Sequence, residues 1–536
     1  MSPKGHVRLH VLCFAALNLP FLLCHPRSPL VTDPLVRSAA IDAVLFLVPG
    51  LPLASLLARS RGMGRPPLLL ILLSSMATFV GVLIALRLVH VPVAADTAWD
   101  VTWALTNAAA LLDAKVGGPL LHGWRLERPL LSGLLFLGGF GAFHVGAVRV
   151  VPATEDHDFE LQGTVHALLT SLEPRFYTTR GTTHYFAHPP LAHLYVAGSF
   201  LYYDRWRELG LYDPPPAASP PDLDRQYANY VEHPYRLETR TPNVFLSALT
   251  VARLGGLVAM TATGPVFASL LALAYIFCPE VFVRSSYGGY FAIGNFILME
   301  IARAEEGRER ASASAALPCL LAGAFAALAD HKLMVVVAAL ILWEGLRGPS
   351  ASPTEKAKRA LRHPTLIGFV AGTAIFWLYG LAISPRSFWI DHVHQHLVDR
   401  IIHRETWNVA ELGGYPGVPA LWLEFARDTG WLLLPLALAS FAVLGRRTAV
   451  WRGTAGFWLA WTAVTAVAFS LVDWRQTKHL VILMLPLYLA PARAAAEGRA
   501  IRLTIAVVLV VLLALNLRTL AALASDFGAL VKSPEW

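Results

Sequence analysis

Charge is what this sequence has least of. Only 15% of its 536 residues are Asp, Glu, Lys or Arg, against about 25% in a soluble globular domain. That shortage excludes a chain solvated over its whole surface. Cysteine is scarce too, with four residues, Cys13, Cys24, Cys278 and Cys319. All four fall in or beside apolar segments with neither metal-ligand spacing nor a disulfide framework, so they read as small buried hydrophobes. No small-residue cleavage site follows the apolar segment 9–24, so Lys4 and Arg8 introduce a first span and not a removable leader.

Long apolar runs are abundant. The chain is 55% hydrophobic with mean hydropathy +0.52. Runs of about 20 apolar residues can each cross the hydrocarbon core as a helix. The clearest are 67–89, 129–151, 364–384 and 503–523, with shorter ones near 9–24, 40–57, 243–260, 264–281, 285–302, 315–329, 332–346, 430–444, 455–471 and 480–493. The fold class expected is all-α, a polytopic transmembrane helical protein of about 13 spans with interfacial amphipathic helices in its outer loops. The net charge of +8 does not indicate nucleic acid. Lys and Arg gather in short loops at 59–65, 125–128, 356–362, 446–452 and 493–502, as cytoplasmic anchors do.

These signals divide the chain into N-terminal membrane helices (1–151), a first outer loop with its following span (152–203), a Pro-rich connector (204–241), central helices (242–384), a second outer loop (385–429) and C-terminal helices (430–536). Counting from either end puts 152–188, 385–429 and 473–479 outside. The two counts place 204–241 on opposite sides.

The outer loops carry most of the chemistry. In 154–191, TEDHDFELQGTVHALLTSLEPRFYTTRGTTHYFAHPPL, residues Leu161, Val165, Leu168, Leu169 and Leu172 share one helical face. Glu155, Asp156, Asp158 and Glu160 crowd its start. One of Asp156 and Asp158 could simply cap the helix; four acids in six residues exceed what capping needs, and favour a cluster that activates a hydroxyl or binds a metal. In the second loop, FWIDHVHQHLVDRIIH (388–403), α-helical spacing puts His392, His396, Asp399, Arg400 and His403 on one face. That face is either the wet side of an interfacial helix or an active-site wall, with His392 and His396 as metal ligands and Arg400 gripping phosphate. Lys332 and Lys478 could snorkel at span ends, yet with His188 and Arg400 they give the outer face several cations.

The ordered set of motifs resembles the C-type membrane glycosyltransferases, in particular the bacterial protein O-mannosyltransferase and lipid A aminoarabinose transferase group. Tyr185-Phe186-Ala187-His188-Pro189-Pro190-Leu191 is similar to the end of that group's first outer loop, Ala329-Asp330-His331-Lys332 to its small-x-Lys loop, and SLVDWRQTKHLVILMLP (470–486) to its late Ser…Lys…Leu-Pro segment. Phe159 follows Asp158 where an acidic partner is usual, and SSYGGY (285–290) replaces a stretch where Asp is common. The resemblance implies an inverting transfer of sugar from a polyprenyl-phosphate donor on the outer face of a bacterial cytoplasmic membrane. In it Asp158, helped by Asp156 or Glu160, takes the acceptor's proton. A divalent metal ion and cations among His188, Lys332, Arg400 and Lys478 stabilise the departing phosphate. The acceptor is a lipid, glycan or protein, and membrane lipids surround the chain. The alternatives are a transporter or flippase, disfavoured by the lack of a visible repeat and by polar residues gathering in outer loops, and a non-catalytic envelope assembly protein.

The topology is directly testable. A single cysteine introduced at Thr179 or Gly414 is expected to react with an impermeant maleimide in intact spheroplasts. Labelling that requires permeabilisation would place both loops inside.

Overall fold

The computed structural model describes residues 3–26, 29–61, 63, 66–117, 128–150, 156–175, 184, 186, 188–207, 209, 235–260, 263–309, 316–347, 352–402, 417–446, 453–471 and 477–531. Their regular structure is helical; among the described residues extended pairing is limited to one isolated bridge, Arg175 to His184. Among the described residues, eight helices are long and apolar enough to cross a membrane, rising to ten if each of two bent pairs is one span. The protein is therefore a multi-pass membrane protein. Among the described residues, shorter apolar helices accompany the long ones, including Leu191–Tyr202 and Ala316–Ala329.

Proline sets many of the helix starts. It occupies the first turn of Pro34–Phe46, Pro129–Val145, Pro279–Ser285, Pro353–Leu361 and Pro364–Ile383, where its missing N–H costs nothing. The helix Arg236–Met260 departs from that rule, running through Pro242 instead of starting at it. The expected connector 204–241 therefore ends inside a helix, and the polar side chains of residues 239–241 all find buried partners there.

The chain forms two compact units. The first comprises Met1–Arg125, Thr154–Tyr185 and Leu191–Phe245. Its core is aromatic: Phe46 stacks on Phe245 at 5.3 Å, and buried Trp99 meets Phe21 and Tyr202 edge-on while its indole N–H donates to Phe21 O. Asp113 is fully buried here, 3.1 Å from Arg59 and accepting from Ser55. The second unit comprises Leu126–Ala153, Phe186–Pro190 and Leu246–Trp536. It contains further internal ion pairs, Arg253–Glu300 at 2.7 Å and Arg308 bridging Glu305 and Glu344 at 2.9 and 2.6 Å. Charge is thus not confined to outer loops, and the four carboxylates just named are paired with arginines within hydrogen-bonding distance.

One helix pair organises the second unit. Ala316–Ala329 lies against Pro364–Ile383 at backbone contact. A Cβ on Gly368 would sit 1.9 Å from Leu320 O, one on Gly372 2.5 Å from Ala324 O, and one on Gly323 1.9 Å from Thr365 O. These are small-residue positions of the kind that let membrane helices approach without a hydrophobic driving force.

Replacing Gly368 by Leu should part these helices and cost at least the about 1–3 kcal/mol typical of overpacking, lowering the melting temperature in detergent. Gly81→Leu, where a Cβ meets nothing within 4 Å, should melt like the parent. Equal melting of the two variants would show that the contact is not tight.

Candidate functional site

Three segments of the second unit converge. The first is Phe186–Pro190. Phe186 is buried in an aromatic nest with Phe376 and Phe388, and its N–H donates to Asp391 Oδ2 at 3.2 Å. That anchor presents half-buried His188, whose ring stacks on buried Tyr290 at 4.0 Å. The second segment is the break after Ala329. Asp330 caps the short 3-10 turn His331–Leu333, its Oδ1 accepting from the Lys332 N–H at 3.0 Å. The turn brings the His331 ring to 5.6 Å from His188 and Lys332 Nζ to 3.9 Å from Asp330 Oδ2. One donor atom each from His188, Asp330 and His331 lies within 4.8 Å of the others.

The third segment is Trp389–Ile402. It is wound as a π-helix, with i→i+5 hydrogen bonds. Residues three and four apart within it therefore do not share a face as they would in an α-helix. His392 is buried, its ring 4.9 Å from Phe376, 5.2 Å from Phe388 and 6.3 Å from His331. Burial among these rings lowers its pKa to about 4, so it is neutral at physiological pH. It packs in the aromatic nest and not on a wet face. The side chains of His396, Asp399 and Arg400, and all of His403, lie outside the described residues. Lys478 is half-buried on the short helix Thr477–Leu480, beside His479, whose ring stacks on Phe469 at 5.8 Å.

The acidic cluster falls in the first unit. Its helix, Asp156–Ser171, forms the expected apolar face: Leu161, Val165, Leu168 and Leu169 are buried, packed on Leu191–Tyr202. The polar side is buried as well, with Gln162 donating to Thr239 at 2.7 Å and Thr164 paired with His193 at 2.8 Å. Asp158 stands inside the helix, not at its cap position. Its Oδ2 accepts from Arg240 Nε at 2.8 Å and Nη2 at 2.7 Å, and both side chains are fully enclosed. Glu160 is half-buried, while the side chain of Asp156 and all of Glu155 lie outside the described residues. The arrangement holds the carboxylate in a fixed position against Arg240.

Arg240 escaped sequence reasoning because it stands in RLETRTPN, between the Pro-rich connector and an apolar run, where an Arg ordinarily marks a loop. Tyr290 belongs to the SSYGGY stretch, noticed only for a missing Asp. Asp330 and His331 were quoted as neighbours of Lys332 without being read as ligands.

No family model and no curated protein matches the sequence. Among solved structures, the chain is similar to the crystal structure of ArnT from Cupriavidus metallidurans bound to undecaprenyl phosphate, with 11% identity and a TM-score of 0.49. The match covers 68% of this chain and 59% of that one, less than two thirds of ArnT's length.

The nest around His392 makes stability depend on pH. A folded-state pKa near 4 lies below the ordinary 6.5. Above pH 6.5 the ring is neutral folded or unfolded; as pH falls from 6.5 to 4 only the unfolded chain takes the proton. Up to about 3 kcal/mol of stability should drain away across that window. The melting temperature of His392→Phe should fall less between pH 7 and pH 4.5 than that of the parent. Parallel pH profiles would mean that the ring is accessible to water.

Proposed function

We propose that this chain is a membrane glycosyltransferase that takes a sugar from a polyprenyl-phosphate donor on the outer face of a bacterial cytoplasmic membrane. The observation that carries the reading is the convergence of His188, His331 and Lys332. Two of these were marked in the sequence as phosphate ligands from motifs more than 140 residues apart, and they meet in one place. A lipid phosphate at a membrane surface needs such a group, because an uncompensated charge in a low-dielectric setting is costly.

In this reading the acceptor hydroxyl gives its proton to a carboxylate base, the role that the sequence resemblance implies for Asp158, while its oxygen attacks the anomeric carbon. The bond from that carbon to the phosphate oxygen breaks, and the electron pair leaves with the polyprenyl phosphate, inverting the anomeric centre. Arg240 holds the Asp158 carboxylate in one orientation. Lys332 offsets the charge developing on the leaving phosphate, which is where preorganised cations lower a barrier most. Arg400 and Lys478 remain further phosphate ligands in this proposal, and Asp156 and Glu160 assisting acids. The transporter alternative would draw on carboxylates inside the helices, but Asp113 is held by Arg59 and Ser55. Such a fixed pair is a strut and not a cycling proton carrier.

Asp158→Asn should lower sugar transfer from a radiolabelled polyprenyl-phosphate donor by about 10²–10⁴-fold. The same change strands the Arg240 charge in the interior, which costs about 3–5 kcal/mol. The Asp158→Asn/Arg240→Gln pair removes both charges and should recover stability without recovering transfer. A stable, active double variant would assign Asp158 to structure alone.

Lys332→Ala should weaken binding of the polyprenyl-phosphate donor and lower turnover while insertion and expression hold. Unchanged donor affinity would make Lys332 a membrane anchor only.

A further inference from the structure

We infer that His188, Asp330 and His331 form a divalent-metal centre, in place of the His392 and His396 ligands that the sequence suggests. The inference concerns cation binding and does not depend on sugar transfer.

The donor set is two imidazoles and one carboxylate, the combination that suits zinc and other first-row dications. Bonds of about 2.1 Å to three ligands of a tetrahedral ion place those ligands roughly 3–4 Å apart. His331 Nδ1 is 3.8 Å from Asp330 Oδ1 already, and the whole set spans no more than 4.8 Å. The remaining closure is a small rotation of the His331 ring, whose side chain is 21% exposed.

Two of the three ligands are oriented before any ion arrives. His188 is stacked on Tyr290, and its segment is tied down through Phe186 and Asp391. Asp330 is fixed by its capping bond to the Lys332 N–H, a neighbouring contact of the kind that tunes metal affinity. The Lys332 ammonium, 3.9 Å from Asp330 Oδ2, is near enough to share an anionic partner with the ion and is itself no ligand. Three protein ligands leave a tetrahedral ion one open position. A bound dication there supplies Lewis-acid charge to an oxygen of an anionic ligand.

The test uses the full chain purified in detergent and stripped with a chelator. It is titrated with Zn²⁺ or Mn²⁺, and retained metal is counted by mass spectrometry after gel filtration, beside the melting temperature with and without metal. The parent should retain one equivalent of at least one of these ions and melt higher with it. Asp330→Asn keeps an oxygen to cap the turn but loses the charge, and His331→Gln keeps a polar side chain. Each should bind the ion at least about tenfold more weakly, the low end of what even an outer contact costs. His392→Ala should bind as the parent does. The inference is overturned if the parent retains neither ion, or if Asp330→Asn and His331→Gln both retain it as the parent does. Loss of metal in His392→Ala alone would return the centre to the π-helix. Should either substitution prevent folding, as judged by gel filtration without metal, His188→Gln takes its place with the same expectation. Metal uptake is read without a sugar donor, so a failure here and a failure of the transfer reading are separate results.

Discussion

The candidate site of the second unit rests on the backbone contact between the helices Ala316–Ala329 and Pro364–Ile383. Gly323, Gly368 and Gly372 bring carbonyls and α-carbons together where any side chain would intrude. The consequence lies at the helix ends. One helix runs out at Ala329 and delivers Asp330, His331 and Lys332; the other ends at Ile383, and the chain turns through Pro385–Phe388 into the π-helix with Asp391 and His392. Asp391 then holds Phe186, and Phe186 holds His188. A set of glycines chosen for helix packing thus fixes where two imidazoles and a carboxylate meet.

The first unit solves a different problem, that of putting polar groups where little water reaches. Residues 239–241 open a long helix with consecutive polar side chains, and each has a buried partner: Thr239 with Gln162, Arg240 with Asp158, Thr241 with Asp42. A Pro at the next position removes one helical donor. The polar ladder before it joins the helices Asp156–Ser171 and Pro34–Phe46 to this turn. Whatever its chemistry, Asp158 is held in a geometry that thermal motion does not easily change.

Much of this was legible in the sequence, and what was not has physical reasons. Spanning helices announce themselves because lipid demands long unbroken apolar runs. His188 and Lys332 were legible because they sit beside prolines and helix breaks that give them a recognisable setting. The aromatic setting of His392 was not legible because the sequence around it invites α-helical spacing, whereas the segment is wound as a π-helix. The burial of His392 could not be foreseen, since the rings of Phe376 and His331 reach it from other segments of the chain. Arg240 was hidden for a related reason: a charged residue before an apolar run looks like a loop until its partner is known.

The π-helix has a further consequence for how this region can change. Its 14 residues, Trp389–Ile402, are coiled with more residues in each turn than an α-helix holds. The segment is therefore a store of slack. A one-residue deletion within it can be absorbed by rewinding towards the α form, without breaking the helix or moving its anchored start at Asp391. What changes is the direction in which every later side chain points. Insertions and deletions here would act as a rotary adjustment on the later turns of the segment while the glycine-packed helices and His188 stay where they are.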